Sequence, residues 1–436
     1  MAKVKNIQTL TIEEKLEQAF VPKSEQPYTI PKNWVWTKLG RLVDIKTGKE
    51  DANFATEQGK YFFFTCAEDP LLCDTSVFYG ESVLIAGNGA FHVNYYDGEF
   101  NAYQRTYVIQ NFKAVNGKFV YYHTLRDIQN ITSGNRGSTI RYIRLGDLTG
   151  SLFPLPPIPE QHRIVARIES LFEKLDHARE LVQSALDSFE SRKAAILHKA
   201  FTGELTAKWR NENGVGLESW KIIPLSQLAH IQTGLAKGKK NTKRTIQMPY
   251  LRVANVQDGY LDLAEIKTIS VEENKVDRYI LQQEDVLFTE GGDFDKLGRG
   301  AVWQSEIEPC LHQNHVFAVR PDQSTLNAFY LAYLAGSQYG KNYFLSCSKQ
   351  TTNLASINST QLKAFPVLCP QIKEQQEIIC VLTRLIKKEQ QAKDQLEPIL
   401  DQIDMMKKSI LARAFRGELG TNDPSEESAM ELLKNL

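Results

Sequence analysis

A stretch that begins at Pro159, PEQHRIVARIESLF, returns as KEQQEIICVLTRLI from Lys373, an offset of 214 residues. The same offset, without a gap, aligns KAAILHKAFTGEL from Lys193 with KKSILARAFRGEL from Lys407. A chain that repeats over such a distance folds into repeated units, and few architectures satisfy that condition. Upstream, Trp34, Leu39, Leu42, Ile45, Thr47 and Gly48 match Trp220, Leu225, Leu228, Ile231, Thr233 and Gly234 at an offset of 186. The difference between the offsets makes the second intervening segment 28 residues longer. The order along the chain is therefore variable, shared, variable, shared. A short echo, Ala19-Phe20 before the first Trp and Ala200-Phe201 before the second, would make the repeat circular. The C-terminal end would then lie near the N-terminus.

The shared segments have helical periodicity. Alternating steps of four and three pick out Ile164, Ile168, Leu171, Leu175, Ala178, Val182, Ala185, Phe189, Arg192 and Ile196. The second copy gives Ile378, Leu382, Leu385, Glu389, Ala392, Leu396, Ile399, Ile403, Met406 and Ile410. Only Arg192 and Glu389 are polar, so each series is a coiled-coil seam. Those two either pair with one another or face a partner helix. Pro156, Pro157 and Pro159 mark the start of the first helix, and Gly203 and Gly417 mark the two ends. Each helix of about 40 residues would be roughly 60 Å long. Two matched helices of this length, far apart in sequence, suit an antiparallel pair acting as a rigid spacer. Pro398 inside the second removes a backbone donor and should kink it, at a cost of ~3 kcal/mol.

The variable segments, residues 28–155 and 214–368, hold short strands bounded by Gly, Asn and Asp, such as DVLFTEGG from Asp285 and NHVFAVRP from Asn314. A helix is expected over residues 325–339. The fold class is therefore α+β: two globular domains separated by two long antiparallel coiled-coil helices, with an internal pseudo-twofold repeat. Over the whole chain 52 basic residues balance 52 acidic ones, which at first sight argues against a nucleic-acid binder. Charge is segregated locally, however. Residues 219–256 hold seven basic side chains and no acidic one, and TGLAKGKKNTKR joins that charge to glycine. Residues 101–126 carry Arg105, Lys113, Lys118 and Arg126 without an acid, and residues 128–146 add Arg136, Arg141 and Arg144 before Asp147. Cations in Gly/Asn/Ser loops suit phosphate, and Arg, Asn and Gln can read base edges. Gly87-Asn88-Gly89 and Gly291-Gly292-Asp293 follow strands and could let backbone approach a ligand closely.

Catalytic motifs are missing. There is no GxxxxGK[ST], no GxGxxG opening a helix and no Asn/Asp-Pro-Pro-aromatic tetrapeptide. Cys310, His312 and His315 lie close but flank a strand and have no second cysteine pair, so no metal site is expected. The six cysteines include no CxxC and suit a reduced cytoplasm. The first 20 residues lack the apolar core of a signal peptide, and a cytoplasmic location is expected.

PIPEQ (residues 157–161) with AFTGEL (200–205), and QIKEQ (371–375) with AFRGEL (414–419), resemble the specificity subunit of type I restriction-modification systems. Trp34 with Leu39-Gly40, and DVLFT from Asp285 with Gly298-Arg299 behind it, extend the likeness over nearly the whole chain. The departures are Pro398, and Lys373 where the first copy has Pro159. The resemblance implies an N-terminal arm (1–27), a first target-recognition domain (28–155), a central spacer helix (156–213), a second recognition domain (214–368), a distal spacer helix (369–420) and a tail (421–436). It implies that each recognition domain reads half of a bipartite, asymmetric site on double-stranded DNA. Two modification subunits would bring S-adenosylmethionine, and restriction subunits would bring ATP and Mg, leaving this chain non-catalytic. Candidate DNA contacts in the first domain are Lys46, Thr47, Asn88, Gln104, Arg105, Asn135, Arg136 and Arg141. In the second they are Thr233, Lys237, Lys239, Lys240, Lys243, Arg244, Arg252, Lys296, Arg299, Gln313 and Asn314. The competing classes are a self-sufficient endonuclease or methyltransferase and a coiled-coil adaptor with no DNA role.

Overall fold

A computed structural model describes residues 20–133, 141–236, 244–292, 297–350 and 355–434. The chain divides into two units, Met1–Val182 with Pro398–Leu436, and Gln183–Glu397. In the first, β1 (Val35–Lys38) is followed by β2 (Asp44–Thr47), β3 (Tyr61–Phe64), β4 (Leu71–Cys73), β5 (Phe78–Ala86), β6 (Val93–Ala102) and β7 (Thr106–Gln110). Helix α1 (Gly117–Ile131), β8 (Leu152–Leu155) and α2 (Ile158–Asp187) complete the series. The main sheet runs β2-β7-β5-β6-β3-β4, and β1 pairs separately with β8. Alternation along β5 sends Val83 and Ile85 to the face that α1 covers and Leu84 to the other. Phe119 and Val120 of α1 and Ile164 and Ile168 of α2 fill the first face. Asn116 caps α1, its side-chain oxygen accepting from the Phe119 amide at 3.0 Å.

The C-terminal residues close this core. Phe415 lies 4.9 Å, ring to ring, from Phe119, and Ala429 and Leu433 are buried beside it. Asn33 donates to the Asp423 carbonyl at 3.0 Å, and Arg163 forms a two-pronged pair with Glu426 at 2.8 and 2.9 Å. Residues 421–434, expected as a separate tail, are thus part of the first unit. At the other end, Val21 is buried and its amide donates to the Trp36 carbonyl, so residues 20–27 are no free arm either. His123 packs between Phe153 and Phe415, tilted to the first ring and edge-on to the second, and burial pushes its pKa down to about 3, so it is neutral.

The second unit repeats the plan. After α3 (Phe189–Phe201) come β9 (Lys221–Pro224), β10 (Ala229–Thr233), β11 (Thr245–Leu251), β12 (Lys267–Glu272), β13 (Val286–Thr289), β14 (Gly291–Gly292), β15 (Gly300–Val302), β16 (Leu311–His312) and β17 (Val316–Pro321). Then follow α4 (Ala328–Gly336), α5 (Gln338–Cys347), β18 (Lys349–Gln350), β19 (Ala355–Ser356), β20 (Pro366–Cys369) and α6 (Ile372–Ala414). The sheet order β10-β17-β13-β15 answers to β2-β7-β5-β6, and β9 pairs with β20 as β1 does with β8. Tyr330, Leu331 and Leu334 of α4 lie on Phe288 and Phe317, with Phe201 5.5 Å from the Tyr330 ring as Phe415 lies on Phe119. The helix expected over 325–339 is shorter, because Ser337 ends α4 and caps α5.

The seam residues Ile164, Ile168, Phe189, Ile378, Leu382 and Ile403 are buried. Leu171, Leu175, Val182, Ile196, Leu385, Leu396, Ile399 and Ile410 are half-buried. Ala392 and Met406 are exposed instead, and Lys407 lies over the Phe172 ring at 5.0 Å. In the first unit, Asp176 pairs with Lys407 and Arg179 with Asp404; in the second, Arg192 donates to Glu389 at 2.8 Å. Within the first unit the partner retreats from Lys407 to Asp404 as the first helix advances from Asp176 to Arg179, so those two segments run antiparallel. The first helix is broken at Ser188, whose hydroxyl donates to the Ala185 carbonyl at 2.6 Å and competes with the backbone ladder. The second continues through Pro398 to Ala414. No helix among the described residues is long and apolar enough to cross a membrane.

Both long helices start from the same buried clamp. Gln161 donates to the Pro156 carbonyl at 2.9 Å and accepts from the Asn116 amide at 2.7 Å; Gln375 does the same with Pro370 and Asn327, both at 2.9 Å. Glu160 accepts from the Trp34 indole at 2.7 Å, and Glu374 from the Trp220 indole at 3.0 Å. The units differ in counter-charge. Glu374 also accepts from Arg210 and Thr206, each at 2.8 Å, whereas Glu160 accepts from Asn422 and its Oε1 is buried without a partner among the described residues. Burial accordingly raises the Glu160 pKa, and the Trp34 and Asn422 hydrogen bonds oppose the rise.

Glu374→Gln should lower unfolding stability by about 3–5 kcal/mol, because it strands a buried guanidinium. Glu160→Gln should behave differently. A carboxyl whose folded pKa exceeds its unfolded one favours folding when protonated, and that advantage is lost as pH rises through the two values. The variant should therefore gain on the parent as pH rises from about 4 to 7, checked by urea unfolding across that range. Parallel stability–pH curves would contradict the assignment.

Candidate nucleic-acid interface

At one end of each sheet the chain makes the same four-residue turn. In the first unit the turn joins β6 to β7: the Thr106 amide donates to Tyr103 at 2.8 Å, and the Gln104 amide to Glu50 at 2.8 Å. In the second it precedes β17: the Val316 amide donates to Gln313 at 2.8 Å, and the Asn314 amide to Leu235 at 3.1 Å. The neighbouring strand holds each turn from the side. Gly87 donates to the Arg105 carbonyl at 2.8 Å, and Glu290 to the His315 carbonyl at 2.9 Å. A third segment then adds on, with Ile143 donating to Gly87 and Ile357 to Glu290. The floor is glycine in both. A Cβ on Gly48 would lie 1.8 Å from the Ala102 carbonyl oxygen, and one on Gly234 2.2 Å from that of His312.

This frame gathers part of the expected set. Thr47, Gln104, Arg105 and Arg141 are exposed around the first turn, with Asn88 beside them, bridged to Tyr142. Thr233, Gln313 and Asn314 surround the second. Lys46 instead lines a separate cleft of about 690 Å³ with Tyr79 and Glu81. Arg244 pairs with Glu273 at 3.1 Å beside the β11–β12 hairpin. Arg252 is largely buried and bonds to the Glu265 carbonyl and carboxylate at 3.0 and 3.3 Å, so its charge serves its own loop. Arg299 donates to Gln257 at 3.3 Å. Asn135, Arg136, Lys237, Lys239, Lys240, Lys243 and Lys296 lie outside the described residues, as does Asp293. Gly291 and Gly292, expected to let backbone approach a ligand, form a short strand paired with Ala355 and Ser356.

The acid-free run at 101–126 dissolves in three dimensions. Lys113 meets Asp44 at 3.1 Å, Lys118 meets Glu169 at 2.6 Å, and Arg126 meets Asp127 at 3.5 Å. Sequence reasoning missed the support beneath the second turn. His312 is buried, its Nδ1 donates to the Val316 carbonyl at 2.7 Å, and burial lowers its pKa. It also missed Glu290, whose carboxylate bonds to the exposed His315 ring. Cys310 is buried apart from both, its thiol pushed up to about 12 by desolvation. Among the described residues no group of three His, Cys, Asp or Glu side chains could hold a metal ion.

The family model for the type I restriction modification DNA specificity domain matches residues 31–183 and 217–398. The chain is 29% identical over 407 residues to the type I restriction enzyme EcoDI specificity subunit of Escherichia coli, covering 89% of each. It is 26% identical to the EcoKI specificity subunit of Escherichia coli K12, over 72% of this chain and 68% of that one. Among solved structures, the HsdS subunit from Thermoanaerobacter tengcongensis aligns with a TM-score of 0.57 at 20% identity, over 91% of this chain and all of the other. A chain from a study of complex assembly and conformational transition of the type I R-M system aligns at a TM-score of 0.65 and 20% identity, over 90% of this chain and all of that one. Both structures share the mixed helix–strand fold.

Gly234→Ala should cost about 1–3 kcal/mol, since its methyl group meets backbone that cannot yield. Gly146→Ala, with nothing within 4 Å of the new Cβ, should stay within about 0.5 kcal/mol of the parent. Thermal unfolding of the two variants checks the contrast.

Proposed function

The chain belongs to the type I restriction-modification DNA specificity family, and from that premise we propose that it reads a bipartite, asymmetric site on double-stranded DNA, one half with each unit. The observation that carries this reading is the duplicated rim. One backbone frame is built twice, and it bears Thr47, Gln104, Arg105 and Arg141 in one unit and Thr233, Gln313 and Asn314 in the other. A fixed frame with different hydrogen-bonding side chains suits two different half-sites. Asn88 belongs to the first rim, and the basic side chains Lys46, Arg136, Lys237, Lys239, Lys240, Lys243, Arg244, Lys296 and Arg299 are assigned to phosphate.

The long helices act as an antiparallel coiled-coil spacer, and their outer faces dock two modification subunits. The ion pairs of Asp176, Arg179 and Arg192 with the second helix support this role. This chain supplies no catalytic group. Modification subunits bring S-adenosylmethionine, and restriction subunits bring ATP and Mg. Methylation or cleavage of DNA by the purified chain alone would overturn that division of labour.

Methylome sequencing of a host with and without the gene should yield one bipartite, non-palindromic motif that depends on the gene. A palindromic motif would refute two different readers. Inserting one heptad in each long helix adds about 10 Å, and should lengthen the spacer between half-sites by about three base pairs. An unchanged spacer would sink the ruler role.

A further inference from the structure

The two sheet-end turns share their closing bond and the bond from the neighbouring segment, Thr106 to Tyr103 with Gly87 to Arg105 and Val316 to Gln313 with Glu290 to His315, and are unlike at the tip. Gln104-Arg105 in the first unit occupies the place that Asn314-His315 holds in the second. Thr106 and Val316, which follow the tips, are buried, while Gln104, Arg105 and His315 are exposed. The His315 side chain has a partner on the neighbouring segment, Glu290, which follows β13. Its Nδ1 meets the Glu290 carboxylate, and its Nε2 lies 3.3 Å from the Asn314 amide nitrogen. In the neutral ring a carboxylate at Nδ1 selects the tautomer with its proton there and leaves Nε2 as an acceptor. Glu290 is held in turn by backbone on both sides, donating to His315 and accepting from Ile357 at 2.7 Å. The ring therefore has one tautomer and one direction.

Resting on the reading of this chain as a DNA-specificity subunit, we propose that these turns are its base-reading tips, with Gln104-Arg105 and Asn314-His315 as the readers. Glu290 is the positioning residue for His315. Arg105 offers a fork of donors that matches the two acceptors of guanine in the major groove. His315 offers an acceptor at Nε2, which suits the amino group of cytosine or adenine. In the free protein the Asn314 amide faces that lone pair, so a base amino group would replace one N–H donor by another.

The test is the methylation motif written by the assembled complex, with the partner subunits present. His315→Ala and Glu290→Ala should make one position of the second half-site degenerate, reducing discrimination there roughly 10- to 100-fold. The first half-site should remain intact. Arg105→Ala should do the converse. Glu290→Gln, which can still accept from Nδ1, should keep the parental motif. A uniform loss of methylation with every motif letter retained, in His315→Ala and Arg105→Ala alike, would overturn the proposal. Where His315→Ala does not assemble, His315→Gln is read in its place under the same criterion. A parental complex that writes no bipartite motif overturns the family reading itself, and the turns fall with it.

Discussion

The structure depends on a carboxylate and an amide placed at the first turn of each long helix. Glu160 and Glu374 accept from Trp34 and Trp220, and Gln161 and Gln375 tie the proline-bounded strand end to the cap of α1 or α4. Buried polar groups of this kind are costly unless satisfied, so they admit one arrangement of strand, cap helix and long helix. Each clamp therefore fixes the angle at which a long helix leaves its sheet. The seam residues Ile164, Ile168, Ile378 and Leu382 then fill the core from that fixed start.

The repeat makes this visible in sequence, and its limits are instructive. Offsets of 214 and 186 were enough to locate the helices, their glycine ends and the Trp–strand motif, because these depend on local spacing. The pairing of Arg192 with Glu389 was one of two options left by the seam. Ser188 was not legible as a break, since serine inside a helix is tolerated unless its hydroxyl turns back on the ladder. Nor could runs of cations reveal their own neutralisation: Asp44 lies 69 residues from Lys113. What reads as a basic stripe along the chain becomes a set of ordinary surface pairs. The exposed tips that remain are set by backbone bonds between segments far apart; Gln104, Arg105 and Asn314 are legible as candidate contacts in the sequence, whereas His315 and its partner Glu290 are not.

The neutral balance of 52 against 52 charges loses its force as an objection to DNA binding for the same reason. Much of the charge is committed to pairs that hold loops and helices, including Asp285 with Arg320 and Arg210 with Glu374 inside the second unit. Net charge describes the sum, whereas recognition depends on the few side chains that the frame leaves pointing outward.

The division of the chain also orders its birth. The second unit is one unbroken stretch, Gln183–Glu397, flanked by the two pieces of the first. Its core needs nothing synthesised after residue 397, whereas the core of the first lacks Phe415, Ala429 and Leu433 until those later residues are made. During translation the N-terminal sheet must wait with an uncovered Phe119, while the later-made unit can already close. The half of the protein that begins first is the half that finishes last.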